Sequence, residues 1–319
     1  MLKTIFLNVL KLLLAGSLIA WLVGSGKLDF SLLIRLKDYP TAVAIAIAVG
    51  LLNLLVISCR WLIILQVRSS ANMPLTKILQ VTWIGQFFSS VLPGSVSGDL
   101  VKMLYVQSIN PDLTKRFVFA SILIDRLMGL SGLILLVGIS SLFFSSQILE
   151  HSPAMGALLK VNFLLALLVI ASLLLFFFGH TYARKVFVKL GSLFLPKLWG
   201  RIIVLWDDLT AIKTEMIKAV SISLVVQFLA VVQFWTLIHP FVGEYMNFRE
   251  ALAFIPIGLM TLALPVAPSG LGVGHAIFQK LFQFSGIENG ASLFNLFFFV
   301  TLILNLIGVV PWLISKRKN

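Results

Sequence analysis

Asp125 and Arg126 stand side by side in an otherwise apolar run, FASILIDRLMGLSGLILL (residues 119–136). Asp125 lies eight residues beyond Phe117, about 12 Å along a helix. Placing either charge in hydrocarbon costs roughly 2.5–3.5 kcal/mol or more, so both should face protein or water. The planar fork of Arg126 suits two-point contact with a phosphate-type group. Alternatively, Asp125 or Asp99 neutralises it as an internal bridge. Asp99 and Lys102 follow a break in the chain, LPGSVSGD (residues 92–99). A half-helix beginning near Ser95–Gly98 would aim free amides and a positive dipole end at an anion, with Ser95 and Ser97 adding hydroxyls. Asp99 would equally serve as an electrostatic cap there.

A second break, PVAPSGLGVGH (residues 265–275), places Ser269 and His275 in a comparable position. His275 reads as a hydrogen-bonded packing residue or as a direct ligand. Pro93, Gly94 and Gly98 interrupt the first segment, and Pro268, Gly270, Gly272 and Gly274 the second. Pro removes a helix donor and Gly tolerates conformations closed to other residues. At membrane depth such backbone is tolerated only where buried in protein or lining a wet cavity.

The elements that must position these residues are membrane helices. The 319 residues are 59% hydrophobic and 12% charged, with mean hydropathy +1.04. Soluble domains carry about twice that share of charge. Full spans are expected near 4–24, 41–64, 117–145, 160–179, 218–239 and 290–314, each with the ~20 apolar residues a bilayer requires. The pattern lacks the short alternating strands of a β-barrel. Residues 78–106 and 250–283, which contain the two breaks, read as re-entrant hairpins. The expected fold is all-α: six spans and two hairpins, in halves of about 1–150 and 151–319 forming one membrane domain with an inverted repeat. Pro93 and Pro268 take matching places in the two halves, each between two full spans. Interrupted segments so placed point to a transporter's binding site.

Charge orients this arrangement. With both hairpins re-entrant, 18 basic residues fall on the side of the N-terminus and six on the other. That bias predicts cytoplasmic N- and C-termini. The net charge of +13 is therefore read as membrane topology rather than as nucleic-acid binding. Residues 182–213 carry too many charges to span, and read as an interfacial amphipathic segment or a basic linker. Arg60-Trp61, near the end of the second span, reads as a snorkelling Arg beside an aromatic-belt Trp.

Catalytic signatures are missing. Cys59 is the single cysteine, and no HExxH, GxSxG or Walker pattern occurs. No cofactor and no metal is expected. A transferase on a lipid-linked sugar would draw on scattered acids such as Glu150, Glu244, Glu250 and Glu288.

FFSSVLPGSVSGDLVKMLYV, SILIDRLMGL and PVAPSGLGVGHAIF, with Arg60-Trp61 ending an early span, resemble the lysylphosphatidylglycerol synthase transmembrane-region family. The resemblance covers about residues 5–315. It implies the lipid-translocating membrane half of multiple peptide resistance factors without the aminoacyl-transfer domain. Pro93, Gly94, Gly98, Asp99, Asp125, Arg126, Pro268, Gly270 and Gly272 match the family's pattern. Gly274-His275 departs from it where many relatives carry Arg-Glu.

The combined expectation is a bacterial inner-membrane flippase or lipid transporter. It would bind an anionic or glycosylated headgroup through Arg126, Asp125, Asp99, Ser95, Ser97, Lys102, Ser269 and His275. Membrane phospholipid or glycolipid would be its partner, together with a lipid-synthesis enzyme. The alternatives are an integral-membrane transferase acting on a polyprenyl-linked or hopanoid lipid, and an accessory subunit of a lipid-modification complex. Oligomeric state is open.

Overall fold

A computed structural model of the chain describes residues 24, 31–70, 72–91, 97–149, 153–194, 203, 206–243, 245–262 and 272–316. The described chain is helical throughout, with no strand among the described residues. After a short α1 (Ser31–Arg35) come α2 (Pro40–Gln66), α3 (Leu75–Val91), α4 (Ser97–Ile109), α5 (Lys115–Leu149) and α6 (Pro153–Phe194). The second half supplies α7 (Lys213–Val242), α8 (Phe248–Leu262), α9 (Val273–Gln283), α10 (Gly290–Leu306) and α11 (Val309–Lys316).

Five of the expected spans coincide with helices long and apolar enough to cross a bilayer: Pro40–Gln66, Lys115–Leu142, Lys160–Gly179, Lys213–Val242 and Gly290–Ser315. The expected span at 4–24 lies outside the described residues, except for Gly24. Burial sorts the five. The apolar window of Lys115–Leu142 is 56% buried, so α5 is central, whereas that of Lys160–Gly179 is 11% buried. Leu164, Leu168, Leu175 and Phe178 of α6 are all exposed. A surface of this kind suits lipid, where side chains need no polar covering.

Both interrupted segments form pairs of short helices. In the first pair, Ser97 Oγ donates to the Phe88 carbonyl at 3.3 Å, and Gly98 lies against Gly85 and Ser89. A Cβ on Gly98 would overlap the Gly85 carbonyl and Ser89 Oγ, so only glycine permits this approach. In the second, a Cβ on Gly258 would meet Phe278, and one on Gly274 would meet Leu262 and Phe294. Helices α3, α4, α8 and α9 have 17, 13, 15 and 11 res respectively. Each is shorter than the ~20 residues that cross a bilayer.

The pairs reach across the halves. The α3 helix packs on α10, α8 packs on α5, and α2 packs along α7 between them. Trp83 donates to the Leu304 carbonyl at 2.7 Å, and Asn305 donates to Ser90 Oγ at 3.1 Å. A reciprocal cap starts α8: the Asn247 amide donates to Glu250 and the Glu250 amide to Asn247, the two-way pattern of a capping box. That role occupies one of the acids considered for transferase chemistry.

The basic segment departs from expectation. Residues 182–213 read as an interfacial amphipathic segment or a basic linker, but α6 runs unbroken from Pro153 to Phe194, 42 residues in all. At about 1.5 Å of rise per residue it extends roughly 63 Å. That is about twice the hydrocarbon thickness. Leu, Phe and Lys support helix here, and no Pro intervenes before Pro196.

Farther along, buried Asp208 accepts from Arg116 at 2.9 Å and lies 3.4 Å from Arg68. It fastens this segment to the end of α2 and the start of α5. Removing it by Asp208→Ala is expected to destabilise the protein by about 1–3 kcal/mol, because both guanidinium groups are partly exposed and can rehydrate. Thermal unfolding in detergent reads this directly; an unchanged Tm would deny the clasp a role.

Candidate functional site

Arg60 and Asp125 are the deepest charges of the first half among the described residues. Arg60 Nε lies 2.7 Å from Asp125 Oδ1, and the Arg60 side chain is only 6% exposed. Its Nη1 donates to Ser223 Oγ at 2.8 Å, which joins α2, α5 and α7. Two glycines of α5 make room. A Cβ on Gly129 would sit 3.3 Å from Arg60 Nη1, and one on Gly132 would sit 2.5 Å from Ser223 Cβ. Gln227 Nε2 also donates to the Gly129 carbonyl at 3.1 Å, extending the polar seam along α7.

This corrects the reading of Arg60 and Trp61 as an interfacial pair. Trp61 is buried and donates to Ser121 Oγ at 3.2 Å. Snorkelling places a charge in water when no counter-charge is near, but here α5 presents a carboxylate to α2. An intramembrane Arg with an internal partner has no need of the interface.

Successive residues on a helix point about 100° apart. Asp125 therefore faces inward while Arg126 faces α4, where its Nη2 lies 2.5 Å from Asp99 Oδ2. The Arg126 side chain is 47% exposed and that of Asp99 14%. Of the two partners considered for Arg126, Asp99 is the one that meets it.

Lys102 lies one turn beyond Asp99. Its alkyl stem crosses Gly85, where a Cβ would be 2.7 Å from Cγ and Cε. Its ammonium sits over the Trp61 ring, 5.2 Å from the centroid. The charges acting on it are Asp125, Asp99, Arg126 and Arg60. Counted by formal charge among the described residues, the cluster thus holds three basic side chains and two carboxylates, an excess of one positive charge. In a medium of low dielectric, such an excess attracts an anion far more strongly than it would in water.

The other expected site residues are placed less centrally. Ser97 and Asp99 occupy the first turn of α4, and Ser97 links the two helices of the pair through the Phe88 carbonyl. Ser95, Pro93, Gly94, Ser269, Pro268 and Gly270 lie outside the described residues. His275 is buried on α9, against α10. The Gly272 amide donates to His275 Nδ1 at 3.3 Å, and His275 Nε2 lies 2.6 Å from Asn295 Oδ1. With Nδ1 accepting, Nε2 carries the proton and donates to Asn295. Phe294 and Phe298 flank the ring. Gly272 has φ of 79°, a conformation that favours glycine. These contacts fix His275 as part of the second helix pair, apart from the cationic cluster.

Arg60, Trp61 and Ser223 are the residues that sequence reasoning undervalued. Opposite charges on two separate spans were a usable signal for the Arg60–Asp125 bridge. Ser223 carries no signal of its own, being one serine among many. Among the described residues, no group of three His, Cys, Asp or Glu side chains is arranged to hold a metal.

Comparison with known proteins finds the chain similar to membrane proteins. UPF0104 membrane protein PH1989 of Pyrococcus horikoshii is 18% identical over 265 residues, which cover 77% of this chain and 78% of the relative. No solved structure matches. The model of a family described as "Lysylphosphatidylglycerol synthase TM region" matches residues 8–310. With nearly the whole chain matched, from before the first described helix to within α11, this polytopic all-α membrane protein belongs to the lysylphosphatidylglycerol synthase transmembrane-region family.

Proposed function

We propose that the protein is a lipid transporter of the bacterial inner membrane that moves an anionic or glycosylated headgroup between leaflets. The observation that carries this reading is the intramembrane cluster of Arg60, Lys102, Arg126, Asp99 and Asp125, with its excess of one positive charge. Arg60 and Asp125 form the buried foundation. Arg126, half-exposed and held by Asp99, is the group that turns to a phosphate, and Lys102 supplies the second cation.

The short helix pairs support the same reading. Interrupted helices in two halves are the recurring construction of carriers whose site lies at the repeat interface. In this proposal the halves are an inverted repeat, both termini are cytoplasmic, and the lipid tails stay in the bilayer while the headgroup crosses. The protein performs no bond chemistry itself and receives its cargo from a lipid-synthesis enzyme.

The test is translocation in proteoliposomes, using headgroup-labelled phosphatidylglycerol, phosphatidylethanolamine and a glycolipid, with chemical quenching of the outer leaflet. Wild type should move a subset selected by headgroup. Arg126→Ala should lose at least ~90% of that movement while still eluting as a folded protein, because Lys102 remains as a cation near Asp99. Equal rates for wild type and variant would take Arg126 out of the mechanism, and failure to move any lipid would defeat the transport reading.

A further inference from the structure

A second polar feature lies deeper along the same helices and has a different chemistry. A cavity of 400 Å³ opens between α2, α3, α7 and α10. That volume falls in the range of ligand pockets, roughly 300–1000 Å³. Asn53 lines it, seven residues before Arg60 and therefore on the same face of α2, two helical turns away. Gln233 also lines it, ten residues beyond Ser223 on α7, close to three turns along. The cavity thus continues the seam that begins at the cationic cluster. No charged residue lines it among the described residues.

Its polar lining is carboxamide and hydroxyl, and part of that lining is unmet. Asn53 Oδ1, Gln233 Nε2 and Thr301 Oγ1 are buried with no hydrogen-bond partner. Gln233 is only 4% exposed, and its amide rests against Gly50, where a Cβ would lie 2.8 Å from Nε2. Orphaned polar groups in a protein interior cost about 1–3 kcal/mol each; these three atoms expose almost no surface to the cavity, so a ligand engages them as their side chains turn toward it. The three supply both acceptors and donors. Phe297 and Phe298 add aromatic surface, and exposed Leu51 in the wall connects the cavity with the lipid-facing surface.

We infer that this cavity is the binding site for an uncharged, hydroxyl-rich group, a sugar ring or glycerol-like polyol. Hydroxyls both donate and accept, which matches carboxamides, and the C–H faces of a sugar pack against the negative faces of aromatic rings. An anion or a cation would find no counter-charge among the described residues that line it. The inference rests on the transport reading only for the source of the group, namely a lipid headgroup reached from the bilayer through Leu51.

The test measures binding to the full chain in phosphatidylcholine nanodiscs, with monoglucosyldiacylglycerol, diacylglycerol and free glucose as probes. Monoglucosyldiacylglycerol should bind at least tenfold more tightly than diacylglycerol. Glucose binding as tightly as the glycolipid would support the site but make a free sugar its ligand; weak glucose binding would assign the lipid. Gln233→Leu should reduce glycolipid binding tenfold or more, with the Tm of the unliganded protein unchanged or raised because an unmet amide is gone. Thr301→Val gives a second, smaller change should the leucine variant fail to fold.

Equal binding of the two lipids would overturn the inference, showing a cavity that holds water only. A lower Tm in both variants with unaltered binding would also overturn it, giving the polar groups a structural role. Binding is read without movement, so loss of translocation with binding intact would strike the transport reading alone.

Discussion

Asp125→Ala is expected to destabilise the protein by about 3–5 kcal/mol, because it leaves the buried Arg60 guanidinium without its counter-charge. Ser223 would remain as a partner for Nη1, but a neutral hydroxyl cannot replace a carboxylate. Water cannot readily relieve the charge, since the surrounding surface is Trp61, the glycine face of α5 and α7. Pairing Arg60→Met with Asp125→Leu removes both charges and fills much of the space. That double variant should recover most of the loss, as buried ion pairs replaced by apolar groups often do. Thermal unfolding of the single and double variants decides the matter. The double variant leaves Lys102, Arg126 and Asp99, and so the excess positive charge, in place. It should therefore still translocate lipid, which would place Arg60–Asp125 in the framework; lost transport in a well-folded double variant would place it in the cargo path.

Gly98→Val should have the second-largest effect. The first added carbon would fall on the Gly85 carbonyl, a backbone atom that cannot rotate aside, and on Ser89 Oγ. Relief requires α3 and α4 to separate, and overpacking of this kind costs about 1–3 kcal/mol. Separation would also draw Asp99 from Arg126 and Lys102 from the Trp61 ring, so transport should fall along with stability. Gly179→Ala is the matched control. Its new carbon meets only the flexible end of Leu175, and exchanging Gly for Ala within a helix gains about 0.5–1 kcal/mol. If Gly98→Val melted like Gly179→Ala, the close contact between α3 and α4 would not exist.

What the sequence disclosed depended on whether the information was local. Hydropathy is local, so the long apolar helices were legible, as was the expectation that Pro and Gly interrupt two segments. Asp99 was legible only as one of two candidate partners for Arg126, because a charge inside a span demands an answer and few acids are available. Arg60 was misjudged because its nearest signals, an adjacent Trp and a helix end, are those of a snorkelling residue. Its true partner lies 65 residues away on another helix. The cavity was invisible for a related reason. Asn53, Gln233 and Thr301 are ordinary polar residues in three separate spans, and only their convergence gives them meaning. The continuation of α6 to Phe194 was missed because charge content was taken to end the helix, when it ends only the part of it able to lie in lipid.

The Arg60–Asp125–Ser223 junction also has a history in time. Arg60 and Asp125 belong to the first half of the chain, whereas Ser223 is translated well after both. At roughly 5–20 residues per second, synthesis of the stretch between Asp125 and Ser223 occupies about 5–20 s. Throughout the interval the nascent first half must carry its ion pair into the membrane before α7 exists to close over it. The sequence answers by making the pair nearly self-sufficient, with carboxylate and guanidinium 2.7 Å apart and Trp61 beside them. The late-arriving serine completes a joint that is already closed in charge, so the order of birth along the ribosome and the order of assembly in the bilayer can coincide.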